Sequence, residues 1–313
     1  MKDFLVIGNI TNDLIPTPHL GGGVSYSGFA IKKLGGTVSM ITVANSEHKY
    51  IRTLLEMGIN VETVPPENES YRDKVTTMVL NYNSIGQRTI NVEEIQGKVY
   101  IKPSSIELGS SILVAPIINE FDYAFVEALK SRGKLFITMQ GFFRYVKDGK
   151  IINHRPDDEK GFLKMVSLAN LVIFSEEDMI FNEKVDHEYI KEIKRVSNIS
   201  ILTRGEKGII IFQQGKLPIE ISAFRLNTSE IKDFTGAGDC CAASFIWYFS
   251  KYKDLKTAGV FACLYSALKI AGLGGGETGL ETIPSIEQVR TFIHDNKNRY
   301  DIFLQKNGVN LNI

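Results

Sequence analysis

Three cysteines, at 240, 241 and 263, are too few for a disulfide framework: the number is odd, and the adjacent pair could close only a strained ring. Their scarcity suits a reducing compartment, so a cytoplasmic protein is expected. A surplus of either charge is missing too, with 36 basic side chains against 36 acidic ones. Without a net field to gather nucleic acid or anionic lipid, neither is expected as a partner, and a small-molecule ligand is the better expectation. No apolar run is comfortably long enough to span a membrane. The most apolar stretch, 257–273, is interrupted by Lys269 and reads as a buried helix. The start, Met1-Lys-Asp-Phe-Leu-Val-Ile, enters a strand-like run directly and shows no signal-peptide cleavage pattern. The five histidines, at 19, 48, 154, 187 and 294, lack metal-ligand spacing. Neither a Walker lysine motif nor a nucleophile elbow occurs.

What the sequence does contain is Asp233-Phe-Thr-Gly-Ala-Gly-Asp239, running into an apolar stretch at 240–249 that reads as a helix. Small residues at a helix start leave backbone N–H groups open to an anion. A carboxylate there would repel a phosphate unless the chemistry needs a base. Phosphoryl transfer to a hydroxyl needs both, an electropositive cradle and a carboxylate that takes the acceptor proton. The plain alternative is a glycine turn with Asp239 as a helix cap.

The seven-residue pattern resembles the C-terminal signature of the ribokinase, or PfkB, family of carbohydrate and nucleoside kinases. The resemblance implies an α/β fold of three layers, with a mostly parallel sheet between helices and a small β lid. It implies one kinase domain over 1–313, with lid segments at roughly 11–20 and 62–98. It further implies ATP and Mg²⁺, with room for a monovalent cation and for a homodimer through the lid. On this reading Asp239 is the base and Gly236, Ala237 and Gly238 form the anion cradle. Thr235, Gly236 and Gly238 contact the nucleotide, while Asp233 supports the loop or the cation environment.

Taken in order, 4–7 reads as a buried strand followed by a loop carrying Asn9, Asn12 and Asp13. Polar groups at such strand ends are where open α/β sheets bind ligands. Asp13 is equally readable as a turn aspartate, and the resemblance makes it a sugar-hydroxyl ligand. Gly21-Gly22 match a family glycine pair before a helix at 26–34, with Gly22 on the substrate. Tyr26 stands where the family usually has asparagine, and its ring could stack on an apolar sugar face or simply pack. A strand at 38–43 and a helix at 46–57 continue the alternation. A polar loop at 65–70 and a hairpin of 76–82 and 87–92, turning at 83–86, fit the lid. The plain alternative is an edge hairpin.

Strands at 112–115 and 134–138 flank a helix at 121–131. Gln140-Gly-Phe-Phe-Arg144 then resembles a pattern of inositol-kinase-like members, with Thr138 where they carry an acid; Gln140 and Arg144 would contact the acceptor. A strand at 170–174 leads to Ser175-Glu-Glu-Asp178, an altered form of the family's Asn-x-x-Glu, which implies a water-mediated Mg²⁺ role for Asp178. A strand at 199–203 precedes Thr203-Arg-Gly-Glu-Lys-Gly208, which resembles the family's nucleotide loop through Thr203, Gly205 and Gly208, or is a hairpin turn into 209–212. Helices at 258–271 and 286–293 flank a glycine-rich loop at 272–279, which the resemblance places near the adenine. One arginine beside an acid favours a neutral sugar or polyol, inositol-like among them, as acceptor. A nucleoside stacked on Tyr26 or Phe142, a phosphosugar clamped by Arg144, and a binding protein without turnover are the alternatives.

Overall fold

The structure is a computed structural model that describes residues 4–15, 17–66, 73–82, 88–311 and 313. Residues 83–86, where the hairpin turn is expected, and 67–70 of the polar loop lie outside the described residues.

The chain alternates strand and helix, with three excursions out of that rhythm. Strand β1 (Phe4–Ile7) is followed by the pair β2 (Thr11–Ile15) and β3 (Thr17–Gly21), then α1 (Gly23–Lys33), β4 (Val38–Val43), α2 (Lys49–Glu56) and β5 (Asn60–Val64). The second excursion, β6 (Thr76–Tyr82) and β7 (Arg88–Glu94), precedes β8 (Ser110–Val114), α3 (Tyr123–Leu129) and β9 (Gly133–Thr138). The third, β10 (Arg144–Lys147) and β11 (Lys150–Asn153), precedes α4 (Glu159–Leu168), β12 (Leu171–Ser175) and the short pair β13 (Ile180–Phe181) and β14 (Lys184–Val185). Then come α5 (His187–Val196), β15 (Ile199–Thr203), β16 (Ile209–Gln213), β17 (Ile219–Ile221), α6 (Ala237–Tyr252), α7 (Leu255–Ile270), α8 (Ile286–Asp295) and α9 (Lys297–Asn307).

A nine-stranded sheet runs in the order β17-β16-β15-β12-β9-β8-β1-β4-β5. It is parallel from β5 to β15 and antiparallel beyond. Alternation along each strand divides the core between its faces. Phe4 and Val6 pack with Phe245, Phe261 and Leu264 of α6 and α7, whereas Leu5 and Ile7 pack with Val126, Phe162 and Ile193 of α3, α4 and α5. The result is the three-layer α/β fold expected. Among the described residues no helix is long and apolar enough to cross a membrane.

All three excursions join a second sheet, β10-β11-β7-β6-β2-β3. Each follows the carboxyl end of a strand of the large sheet, namely β1, β5 and β9, so the second sheet is fed entirely from the edge where α/β sheets carry their ligands. Two expectations need correcting here. Asn12 and Asp13 sit on a strand, not a loop, because β2 is paired on both sides, with β3 and β6. The second sheet also extends beyond the segments expected, since β11 adds 144–153 through its pairing with β7.

Candidate active site

Helix α6 begins at Ala237, three residues before the apolar run, so Asp239 lies in its first turn. Gly236 caps the helix in a left-handed conformation, φ 74°, which suits glycine. Sterics require glycine there as well: a β-carbon would stand 2.1 Å from Tyr26 Cδ1. Gly238 is different. It is exposed, and a β-carbon there would meet nothing within 4 Å. Ala237 N–H donates to Phe234 O and Cys240 N–H to Gly236 O, while no described residue takes the Gly238 N–H. An open N–H at the positive end of a 16-residue helix is the kind of group that attracts an anion.

The Asp239 carboxylate is only partly buried, and Oδ1 accepts from Gln140 Nε2 at 3.3 Å. The start of α1 approaches closely, for a β-carbon on Gly23 would lie 2.9 Å from the same oxygen. Ser27 Oγ donates to the Asp239 carbonyl at 3.4 Å, tying α1 to α6. Gly22 caps α1 at φ 94°, and a side chain there would strike Asn9 O at 2.5 Å. Gly22 and Gly23 therefore let two helix starts and one strand end meet at Asp239.

A cavity opens from this point. It is lined by the polar residues Thr11, Asp13, Gln140, Arg144 and Asp239 and by the apolar residues Met78, Leu80, Ile90 and Ile117, with Asp13 and Met78 side by side on β2 and β6. Asp13 is 5% exposed, and its Oδ1 accepts from Thr11 Oγ1 at 2.6 Å. Gly21, opposite Thr11, leaves room for the carboxylate: a β-carbon there would be 2.0 Å from Oδ2. Of the three polar residues expected after β1, only Asp13 lines the cavity. Asn9 clips β1 to its surroundings, donating to Gly97 O and accepting from Val43 N–H. Asn12 Oδ1 accepts from Tyr50 OH, a phenol pushed above its usual range by burial and then by the Asp13 charge, and so held as a donor.

The two aromatic residues weighed as stacking platforms are packed instead. Tyr26 borders the cavity but is 1% exposed, with its ring against Gly236. Phe142 is fully buried among Phe121, Tyr123 and Phe162. Arg144, at the start of β10, is buried in the cavity wall.

The segment compared with a nucleotide loop lies apart from this cavity, at the carboxyl end of β15. Thr138, Ser175 and Thr203 end three adjacent parallel strands. The turn at 204–208 closes the antiparallel β15–β16 hairpin, as the hairpin reading of this segment has it. Gly208, φ 93°, is needed by the fold itself, since a β-carbon would lie 2.0 Å from Ile221 O; Gly205, exposed with φ 54°, has open space beside it. Asp178 is turned into its own loop: Oδ2 accepts from Ser175 N–H at 2.8 Å while its own N–H donates to Ser175 Oγ. Among the described residues no three His, Cys, Asp or Glu side chains gather as a cation cage. Mg²⁺ in phosphoryl-transfer sites is commonly held by water, substrate phosphates and one or two carboxylates, a mode that needs no such cage.

The motif's first acid is buried. Asp233 Oδ1 accepts from Thr235 N–H, and Oδ2 from Gly279 N–H and Lys269 Nζ. Sequence reasoning used Lys269 only as a break in an apolar run; a lone lysine in a helix otherwise fit for the core was the available signal for a buried partner. Thr11, Gly23, Met78, Leu80, Ile90 and Ile117 were also missed. A larger concavity of about 630 Å³ is lined by His154, Arg155, Phe181, Asp186 and His187 among others. Its main charges neutralise each other, Arg155 donating twice to Asp186.

The profile for the pfkB family carbohydrate kinases matches residues 5–283, and the chain belongs to this family. Its members are phosphotransferases acting on hydroxyl groups of sugars. The bifunctional protein HldE of Sulfurimonas denitrificans is 25% identical over 293 residues, 90% of this chain and 55% of that protein, so the chain spans about half the length of this relative. In structure the chain is similar to a pyrophosphate-dependent kinase of the ribokinase family complexed with a pyrophosphate analogue and myo-inositol, with TM-score 0.69, 20% identity, and coverage of 85% of this chain and 94% of that one. It is also similar to a fructokinase from Vibrio cholerae bound to fructose, ADP and potassium ion, with TM-score 0.68, 18% identity, and coverage of 93% and 98%.

Proposed function

We propose that this chain transfers the γ-phosphoryl group of ATP to a hydroxyl of a neutral sugar or polyol in the cytoplasm. The observation that carries the reading is the position of Asp239. Its carboxylate stands beside the open N–H of Gly238 at a helix start and faces a cavity that holds a second carboxylate, Asp13. In the proposed step the acceptor oxygen, oriented by Asp13, Gln140 and Arg144, attacks the γ-phosphorus. The bond to the β–γ bridging oxygen breaks, ADP leaves, and the hydroxyl proton passes to Asp239. The N–H groups over Gly236, Ala237 and Gly238 meet the charge on the phosphoryl oxygens. Mg²⁺ brought with the nucleotide would neutralise phosphate charge, with Asp178 reaching it through water. Thr203 and Gly205 would border the nucleotide, and Thr235 would join the cradle. The second sheet would act as the lid of a single kinase domain, laying Met78, Leu80 and Ile90 over the acceptor and excluding water.

Two observations favour a neutral acceptor. Arg144 is the one basic side chain among the described cavity-lining residues, whereas a phosphate dianion is usually met by more than one cation. The burial of Tyr26 and Phe142 removes the aromatic slot that a nucleobase would use. A panel of neutral sugars, polyols, nucleosides and sugar phosphates, run with ATP and with pyrophosphate as donor, tests the reading. Highest kcat/KM is expected with ATP and a neutral sugar or polyol. Preference for a nucleoside, or for a sugar phosphate with activity lost in Arg144→Ala, overturns the acceptor; preference for pyrophosphate overturns the donor.

A further inference from the structure

Lys269 is fully buried in the last turn of α7, and its Nζ donates to Asp233 Oδ2 at 2.9 Å and to the Asp233 carbonyl at 3.0 Å. The same ammonium lies 5.7 Å from the centre of the Tyr26 ring, the ring that backs Gly236. Through Asp233 it also reaches Thr235 N–H, just before the cradle, and Gly279 N–H, at the end of the glycine-rich loop. One positive charge thus joins the start of α6, the end of α7 and the 272–279 loop. Burying an ion pair is a poor route to stability, because an apolar pair of similar volume often serves as well or better. A buried ammonium at this place therefore calls for a reason connected with the site.

We propose that the Lys269 ammonium is a built-in monovalent cation for the phosphate-binding turn and that it makes nucleotide binding independent of added potassium. The inference rests on the kinase reading and concerns the same site. A potassium ion accompanies ADP in the related Vibrio cholerae fructokinase, and Asp233 is the carboxylate for which the family resemblance implies support of the loop or of the cation environment. Here the donor set does not fit a free ion. Asp233 Oδ1 is taken by Thr235 N–H, Oδ2 by Lys269 and Gly279 N–H, and its carbonyl by Lys269 again. An alkali ion seeking those oxygens would stand within a few ångströms of the ammonium, where two like charges repel strongly in a dry site. The ammonium is moreover attached to the chain and already seated on Asp233, so its presence there does not depend on the concentration of any dissolved ion. The tether fixes the Asp233 carboxylate, and Asp233 in turn fixes Thr235 N–H and the entry to the cradle, so Lys269 acts as a positioning residue.

The experiment compares potassium chloride with choline chloride at matched ionic strength, following the affinity of a nonhydrolysable ATP analogue with Mg²⁺ by calorimetry and Tm by scanning fluorimetry. For the wild-type chain both readings are expected to agree between the salts, affinity to within about twofold. In Lys269→Ala, which removes the charge and leaves room for an ion, affinity in choline is expected to fall about tenfold or more and Tm to drop, with potassium or ammonium restoring most of both. Lys269→Met, uncharged and space-filling, is expected to lose affinity with no rescue by either ion. A wild-type chain whose affinity or Tm rises specifically with potassium overturns the proposal, and so does a Lys269→Ala protein with unchanged affinity. If Lys269→Ala does not fold, the wild-type comparison decides. A wild-type chain that binds no nucleotide in either salt defeats the kinase reading instead, and the salt dependence of its Tm still decides the cation question.

Discussion

The ring of Tyr26 occupies the space a β-carbon on Gly236 would need, its Cδ1, Cγ and Cε1 atoms lying 2.1 to 2.5 Å from that position. Two glycines two residues apart therefore stand in different surroundings, Gly236 against a ring and Gly238 beside open space. Gly236→Ala is expected to destabilise the protein by about 2 kcal/mol or more, from the left-handed backbone and the overpacked ring together. Gly238→Ala is expected to leave Tm unchanged or slightly raised, since alanine favours a helix by up to about 1 kcal/mol. It should nonetheless weaken nucleotide binding by about tenfold, because the added methyl would stand in the open space through which a phosphate would approach the N–H and lengthen that charge-assisted hydrogen bond. Thermal melts with nucleotide titrations separate the two, and equal affinity in Gly238→Ala and parent would remove the cradle role.

Asp239→Asn keeps the shape of the first turn and the contact with Gln140, but an amide cannot take the acceptor proton. Turnover should fall by a factor of about 10² to 10⁴ while the nucleotide still binds. A near-parental rate would reduce Asp239 to a helix-start acid.

Leu80 and Ile90 sit opposite each other on β6 and β7 and face the cavity. Replacing both with alanine should raise the acceptor KM by about tenfold or more and leave nucleotide affinity as it was. Water admitted beneath the sheet should also raise the ratio of ATP hydrolysis to acceptor phosphorylation. An unchanged ratio would take the second sheet out of the mechanism.

Alkaline pH should unfold the protein for a reason visible in its core. Burial pushes the thiols of Cys240, Cys241 and Cys263 up, Cys241 to about 12, and raises the Tyr265 phenol well above its usual range. In the unfolded chain the cysteines titrate near 9.0 and the tyrosine near 10.0. Raised folded-state values mean the stabilisation is complete below about pH 9 and is lost above it, as the unfolded chain releases protons that the fold retains. Each such group removes about 1.4 kcal/mol per pH unit in that window. Urea unfolding at about pH 8 and about pH 10 measures the slope, and a flat profile would mean these groups reach solvent in the folded state.

The sequence shows β1, β4, β6 and β15 at their observed bounds, because β1, β4 and β15 are largely buried β-rich runs and β6 is a β-rich run that alternates buried and partly exposed positions. It hides β2, β3, β10 and β11, whose mixed sequences, such as Thr-Asn-Asp-Leu-Ile and Thr-Pro-His-Leu-Gly, show no clean alternation and become strands only through partners far along the chain. Helix α9 is obscured likewise, with only Tyr300, Phe303 and Asn307 buried. At the site, the residues of the glycine motif are legible because their spacing is local. The apolar lining is not, since which face of β6 and β7 meets the cavity depends on where the second sheet docks. Between the two readings of Tyr26, stacking or packing, the sequence does not choose, because nothing local reveals that Gly236, 210 residues later, lies beside its ring.

The second sheet also sets an order of assembly. Its strands come from three separate segments of the chain, Thr11 pairing with Thr76 and Lys150 with Asn91. Contacts so distant in sequence form slowly, because loop entropy is lost before they contribute stability. The turn at Gly236 waits on the main core in the same way, since it packs against Tyr26, 210 residues earlier. A refolding chain should therefore regain the burial of Trp247, its single tryptophan, in α6 before it can hold an acceptor.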